Sequence, residues 1–270
     1  MLPPPRCALP LDPMAEDLLF SLSPADLAGA GLAIFVAGLL RGFTGFGFAL
    51  AAVPLAGLVL PPAMIVPVVM LTQLVIGSAD AVRERRAVDW RLVGWLTLGL
   101  AIATPLGTWA LVALPGDITR IVIACIVLLG AAAAWRPPRA EGAGEGGLLH
   151  ARITRLGVGL VAGLFTGLAA MPGPPVVAYM LAAERDPRII RATLMVFFFF
   201  TAVTGCASAW FAGLIGWPEL VMSAAALPLV VGGSAIGAAG FRRADARHYR
   251  PAALVVLVGA AVVTLLREIL

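Results

Sequence analysis

Eight long apolar blocks, nearly free of charge between their ends, constrain this chain more than any other feature. They cover about 25–59, 62–80, 91–114, 118–135, 156–182, 189–211, 217–239 and 251–267. A helix needs about 20 consecutive apolar residues to cross a hydrocarbon core about 30 Å thick. A transmembrane barrel would show short segments of alternating polarity instead. Apolar residues make up 61% of the 270 and charged ones only 13%, so nothing is left over for a soluble domain. The chain is expected to be an all-α polytopic membrane protein with the lipid bilayer as its first partner.

Proline and glycine punctuate the joins, at Leu60-Pro61-Pro62, Leu114-Pro115-Gly116, Asp186-Pro187 and Trp217-Pro218. The pattern repeats. AGLLRG at 37–42 resembles AGLFTG at 162–167, 125 positions later, and Pro62 matches Pro187 at the same offset. WRLV (90–93) corresponds to WPEL (217–220), and LPGDITR (114–120) to FRRADARHYR (241–250), each leading into a last apolar span. The expected organisation is an N-terminal extension (1–24), a first transmembrane repeat (25–140), a cytoplasmic linker (141–155) and a second repeat (156–270). Prolines interrupt the extension and no basic region leads into an apolar stretch, so it does not read as a signal peptide. Met14 opens a more ordinary start, and residues 1–13 read as a disordered extension or a start-site error.

All 19 basic residues are arginines. In a membrane chain their positions report orientation, and the net charge of +4 does not point to nucleic acid. The basic connections are 83–91, the linker with Arg136, Arg139, Arg152 and Arg155, then 184–191 and 241–250. LVLPPAM, ALPGDITR and FAGLIGWPEL are poor in charge. Eight full crossings would scatter the basic connections over both sides, against the positive-inside rule. The conflict vanishes if blocks one and five dip in and return as re-entrant hairpins. All basic connections then face the cytoplasm of a cell (inner) membrane, and both termini face outward. Block one is 35 residues long, about 52 Å as a single helix and too long for one crossing. Block five is broken at Met171-Pro172-Gly173-Pro174-Pro175. Two homologous halves follow, each a broken hairpin plus three transmembrane helices, and the odd number of crossings inverts one against the other. The competing reading is eight ordinary spans with a mixed charge bias.

Irregular backbone at membrane depth survives only where protein buries it or a wet cavity lies beside it. The two breaks, Gly42 to Gly47 and Gly167 to Pro175, therefore mark the candidate substrate site. A helix starting at such a tip offers free N–H groups and a positive dipole end, which suits an anion. Gly42, Gly45 and Gly47 would admit a ligand to the backbone, Thr44 offers a hydroxyl, and Arg41 a planar cation for oxyanions. The second tip contributes Thr166, Gly167, Met171, Pro172, Gly173 and Pro174, without charge. Gln73 and Thr201 lie mid-block at equivalent places in the two halves and complete the substrate-binding set. Plainer roles compete: glycines in small-xxx-small patterns let helices pack closely, and Arg41 could snorkel to an interface.

Other features carry less. Cys125 and Cys206 read as small buried hydrophobes. The Phe197–Phe200 run reads as packing rather than a ligand box, and Tyr179 as an interface aromatic. Asp80, Asp117 and Glu219 sit at expected span ends, so no acidic residue is expected deep in a span. No nucleotide motif, metal set or nucleophile–base pair is visible, so neither enzyme nor cofactor is expected. A homodimer is one assembly such a chain could form.

AGLLRGFTGFGFALAAVPLAGLVLPP resembles the first signature of the sulfite exporter TauE/SafE family. The resemblance lies in Gly42, Gly45 and Gly47, in Val53-Pro54, and in Pro61-Pro62 before the second span. GLFTGLAAMPGPPVVAYML is similar to the second-half signature, and together the likeness spans about 25–268. It implies a secondary permease for small sulfur anions or organic anions such as sulfite, sulfonates or thiosulfate. An anion channel with the same pore, or a membrane assembly protein, are the alternatives. Two departures stand out: Phe48 follows Gly47 where many members have another glycine, and the second tip is rich in proline.

Overall fold

The computed structural model describes residues 23–44, 47–135, 148–182 and 186–243. They form α1 (Pro24–Thr44), α2 (Phe48–Ala56), α3 (Pro62–Glu84), α4 (Trp90–Ala113), α5 (Gly116–Trp135), α6 (Leu148–Ala169), α7 (Gly173–Ala182), α8 (Pro187–Phe211) and α9 (Trp217–Arg243). No strand occurs among the described residues. The extension before Ser23, Arg136, Arg139, the segment from 244 and the block expected at 251–267 lie outside them.

Local chemistry explains the helix starts. The Ser23 hydroxyl accepts from the Asp26 N–H while the Ser23 N–H donates to the Asp26 carboxylate, a reciprocal cap that opens α1. Pro62 and Pro187 occupy the first turns of α3 and α8, where a missing N–H costs nothing. The Asp89 and Asp186 carboxylates accept from the N–H groups of Leu92 and Arg188, capping α4 and α8.

Among the described residues, six helical segments are long and apolar enough to cross a membrane: Pro24–Gly42, Pro62–Glu84, Trp90–Ala113, Arg152–Ala169, Arg188–Phe211 and Trp217–Gly240. Large apolar side chains cover the outside, Trp109, Phe211 and Trp217 among them, a surface suited to hydrocarbon rather than water. The chain is an all-helical, multi-pass membrane protein. Cys206 is buried as expected, whereas Cys125 is exposed on α5, because the apolar run it sits in turns that face outward.

Blocks one and five each fold as a long arm, a break and a short return arm. The return arms α2 and α7 have 9 and 10 residues, about 15 Å of helix. The arms lie side by side. A Cβ built on Gly29 would sit 3.6 Å from Cγ1 of Val59, and Arg155 Nε donates to the Tyr179 hydroxyl at 3.4 Å. Each chain segment thus comes back beside its own start. The first arms are long enough to cross, whereas the expected hairpins were not to cross, so each pairs a long arm with a short one.

The long arms pack crosswise. The first arm α1 lies on α9, α6 lies on α4, and α3 lies on α8. Glycine makes the first two seams close. A Cβ on Gly38 or Gly42 would meet backbone of Val230 or Ser234, and one on Gly159, Gly163 or Gly167 backbone of Leu96, Leu100 or Thr104. Hydrocarbon drives no apolar association between helices, so such backbone approach supplies the attraction.

Contacts also sort the ends of the bundle. The Asp89 N–H donates to Thr193 Oγ1 at 3.2 Å, and the Arg152 guanidinium lies 5.8 Å over the Trp95 ring. The starts of α4, α6 and α8, with their arginines, therefore share one end. At the other, Arg120 Nε donates to the Gly57 carbonyl at 3.2 Å and Ser208 Oγ donates to Thr108 Oγ1 at 2.8 Å.

Candidate functional site

Each break contains a residue with positive φ. Gly47 has φ 91° and ψ 10°, a conformation glycine adopts without penalty, and α2 begins at the next residue. The first N–H groups of α2 have no acceptor within that helix, and no side chain caps them at Gly47. At the second break Ala170 takes φ 55°. The Met171 N–H reaches back to the Phe165 carbonyl at 3.1 Å and closes the end of α6. The return helix α7 then opens with Gly173-Pro174-Pro175, and its two prolines carry no N–H.

The breaks face each other. A Cβ on Gly173 would lie 3.4 Å from Leu50 Cδ1 and 3.9 Å from Phe198 Cζ. Between them is a small cavity, partly open to solvent. The first break lends Gly47 to Leu50, the second Ala170 to Gly173, and Arg41 stands beside them. Helix α3 adds Gln73 and Asp80; α8 adds Met195, Phe198 and Thr201. Gln73 and Thr201 come from the middles of their helices, so the cavity lies inside the bundle.

Arg41 is largely buried, and it is paired. Its Nη2 donates to the Asp80 carboxylate, and the two side chains are only 14% and 19% exposed. Asp80 was expected at a span end. It lies four residues before the end of α3 at Glu84, and there it meets Arg41. Its signal in the sequence was the spacing of Gln73, Gly77 and Asp80 at i, i+4 and i+7, one face of a helix.

Of the expected site residues, Arg41, Gly47, Gln73, Met171, Pro172, Gly173 and Thr201 line this one cavity. Gly42 and Gly167 lie in the helix seams instead, where an added Cβ would come within 2.0 Å of the Ser234 carbonyl and 2.2 Å of the Thr104 carbonyl. Thr166 is buried and donates to the Ala162 carbonyl at 2.7 Å. Pro174 is half-buried in the first turn of α7. Thr44 is the last residue of α1, but its side chain, like Gly45, lies outside what is described. Phe198, read as packing, turns into the cavity, while Phe197 beside it is fully buried. The Thr72 and Thr204 hydroxyls bond carbonyls of their own helices.

The cavity wall is thus divided. One part is polar, with a guanidinium, a carboxylate, an amide and the open start of α2. The rest is apolar and soft, built from Phe48, Leu50, Met171, Pro172, Met195 and Phe198.

Among curated proteins, the chain is similar to the probable sulfite/organosulfonate exporter TauE of Cupriavidus necator. The two are 28% identical over 231 residues, which is 83% of this chain and 85% of that protein. No solved structure matches. The family model for the sulfite exporter TauE/SafE matches residues 30–264, and it takes in both breaks and every lining residue of the cavity. The chain belongs to the sulfite exporter TauE/SafE family, a family of membrane transporters.

Proposed function

We propose that this chain is a secondary transporter of small sulfur oxyanions, organosulfonates above all, which bind between the two breaks. One observation carries the reading: two helix interruptions about 125 residues apart converge on a single cavity that contains a guanidinium. The oxyanion head takes Arg41 and the N–H groups at the start of α2, where the helix dipole favours negative charge. An organic tail lies against Met171, Met195, Phe48 and Phe198. Sulfite has no tail to use that wall, which is why a sulfonate is the better fit. The relative from Cupriavidus necator, whose name gives sulfite and organosulfonate, agrees with this class.

The architecture proposed with it is two inverted halves. Helices α1 to α4 correspond in order and length to α6 to α9 with the return arms included, and the crosswise seams are what a pseudo-two-fold axis would produce. The arginine-rich end is assigned to the cytoplasm of a cell membrane. Movement of one half against the other would open the cavity to each side in turn.

Proteoliposomes loaded with labelled ethanesulfonate or sulfite test the function. Wild type is expected to move ethanesulfonate, and Arg41→Ala to lose that flux. An Arg41→Ala protein that transports like wild type would sink the role given to the cavity.

A further inference from the structure

Arg41 does not wait empty-handed for an anion, because Asp80 already holds it. We propose that Asp80 is the resident anion of the cavity, displaced from Arg41 by each substrate and restored on release. This rests on the anion-transport reading above.

The geometry separates a fixed partner from a moving one. Asp80 projects by one methylene from α3, which is locked against α8: a Cβ on Gly77 would lie 3.5 Å from Phe199 Cα, and one on Gly205 2.8 Å from Met70 Sδ. Arg41 has a long side chain and five N–H donors, and the structure engages Nη2 with Asp80. The arginine can swing from Asp80 toward the start of α2, since both border one space.

Charge makes the exchange necessary. An empty cavity without Asp80 would keep a desolvated cation with no partner, a strongly unfavourable state. A substrate accepted while Asp80 kept its hold would crowd two anions around one guanidinium in a poorly screened site. Affinity is then the difference between two ion pairs. That difference keeps binding weak enough for release, as conduction through any binding site requires. Asp80 is therefore a positioning residue: it acts on substrate through Arg41.

Asp80→Asn keeps the shape and removes the charge. Its half-saturating ethanesulfonate concentration in proteoliposomes should fall about tenfold, equivalent to about 1.4 kcal/mol, while the maximal rate drops because release loses its competitor. Asp80→Glu, which keeps the charge, should not show the tightened binding expected of the neutral variant. A merely structural aspartate would lower the maximal rate and melting temperature without tightening binding. Should Asp80→Asn not survive solubilisation, Asp80→Ser is read in the same way. Unchanged or weaker binding in the neutral variant overturns the proposal and leaves anion transport standing. A wild type that neither binds nor moves ethanesulfonate or sulfite overturns both.

Discussion

Gly42 and Gly167 test the helix seams directly. In α1 a Cβ on Gly42 would stand 2.0 Å from the Ser234 carbonyl oxygen and 2.6 Å from Ser234 Cα. Ordinary contact begins at 3.4 Å, so Gly42→Ala needs roughly 1.4 Å of relief. The obstacle is backbone of α9 and cannot rotate away. Gly232, also in α9, and Gly94 in α4 have nothing within 4 Å of the same added carbon. Every one of these substitutions gains the same helix propensity, up to about 1 kcal/mol. That gain cancels in the comparison and leaves the overpacking penalty, about 1–3 kcal/mol, with the backbone collision favouring the upper end. Gly42→Ala and Gly167→Ala should therefore be less stable than Gly232→Ala and Gly94→Ala by that amount. Denaturant unfolding in a fixed detergent, followed by helical circular dichroism, measures the difference. Equal stability in all four would mean that α1 and α9 do not approach as closely as described, and the crosswise packing would fail with it.

Two further outcomes are expected. In a cysteine-free background, Arg85→Cys and Arg188→Cys should be labelled by an impermeant maleimide from the same side, and Gly213→Cys from the other; labelling of the first two from opposite faces would overturn the orientation drawn from the Asp89–Thr193 contact. Gly173→Leu should cut ethanesulfonate flux to about a tenth or less, at least about 1.4 kcal/mol in the barrier, because its side chain would grow into the space beside Leu50 and Phe198; flux close to wild type would place the path elsewhere.

Helix starts at proline were legible because their causes are local. Pro62 and Pro187 act on their own first turns, and no tertiary partner is needed to read them, whereas the caps at Ser23 and Asp89 went unread. The breaks were legible for the same reason: Gly47 takes a left-handed turn that favours glycine, and the prolines after Gly173 can open a helix but cannot continue the one before it. The roles of Gly42 and Gly167 were not. A glycine that admits a ligand and one that admits a neighbouring helix look alike until the neighbour is known, and Ser234 and Thr104 are remote in sequence. Asp80 failed to read as a site residue because its partner lies 39 positions earlier and meets it only after α1 and α3 stand side by side. Phe198 was hidden among four identical residues. A helix turns about 100° per residue, so only the rotation of α8 decides that Phe197 enters the core around Leu92 and Met180 while Phe198 faces the cavity.

The breaks correspond in position but not in chemistry, and that difference bears on the substrate. The first return helix opens with Phe48, Ala49 and Leu50, all of which carry an N–H, whereas the second opens with glycine and two prolines. A helix start stripped of donors is a poor anion site whatever its dipole. Arg41, Gln73, Asp80 and Gly47 precede the linker, while Met171, Pro172, Met195 and Phe198 follow it. Two equally charged tips would hold a symmetric dianion from both sides. On the proposed anion-transport reading, one charged tip facing an apolar one would suit a molecule with two unlike ends, its oxyanion toward Arg41.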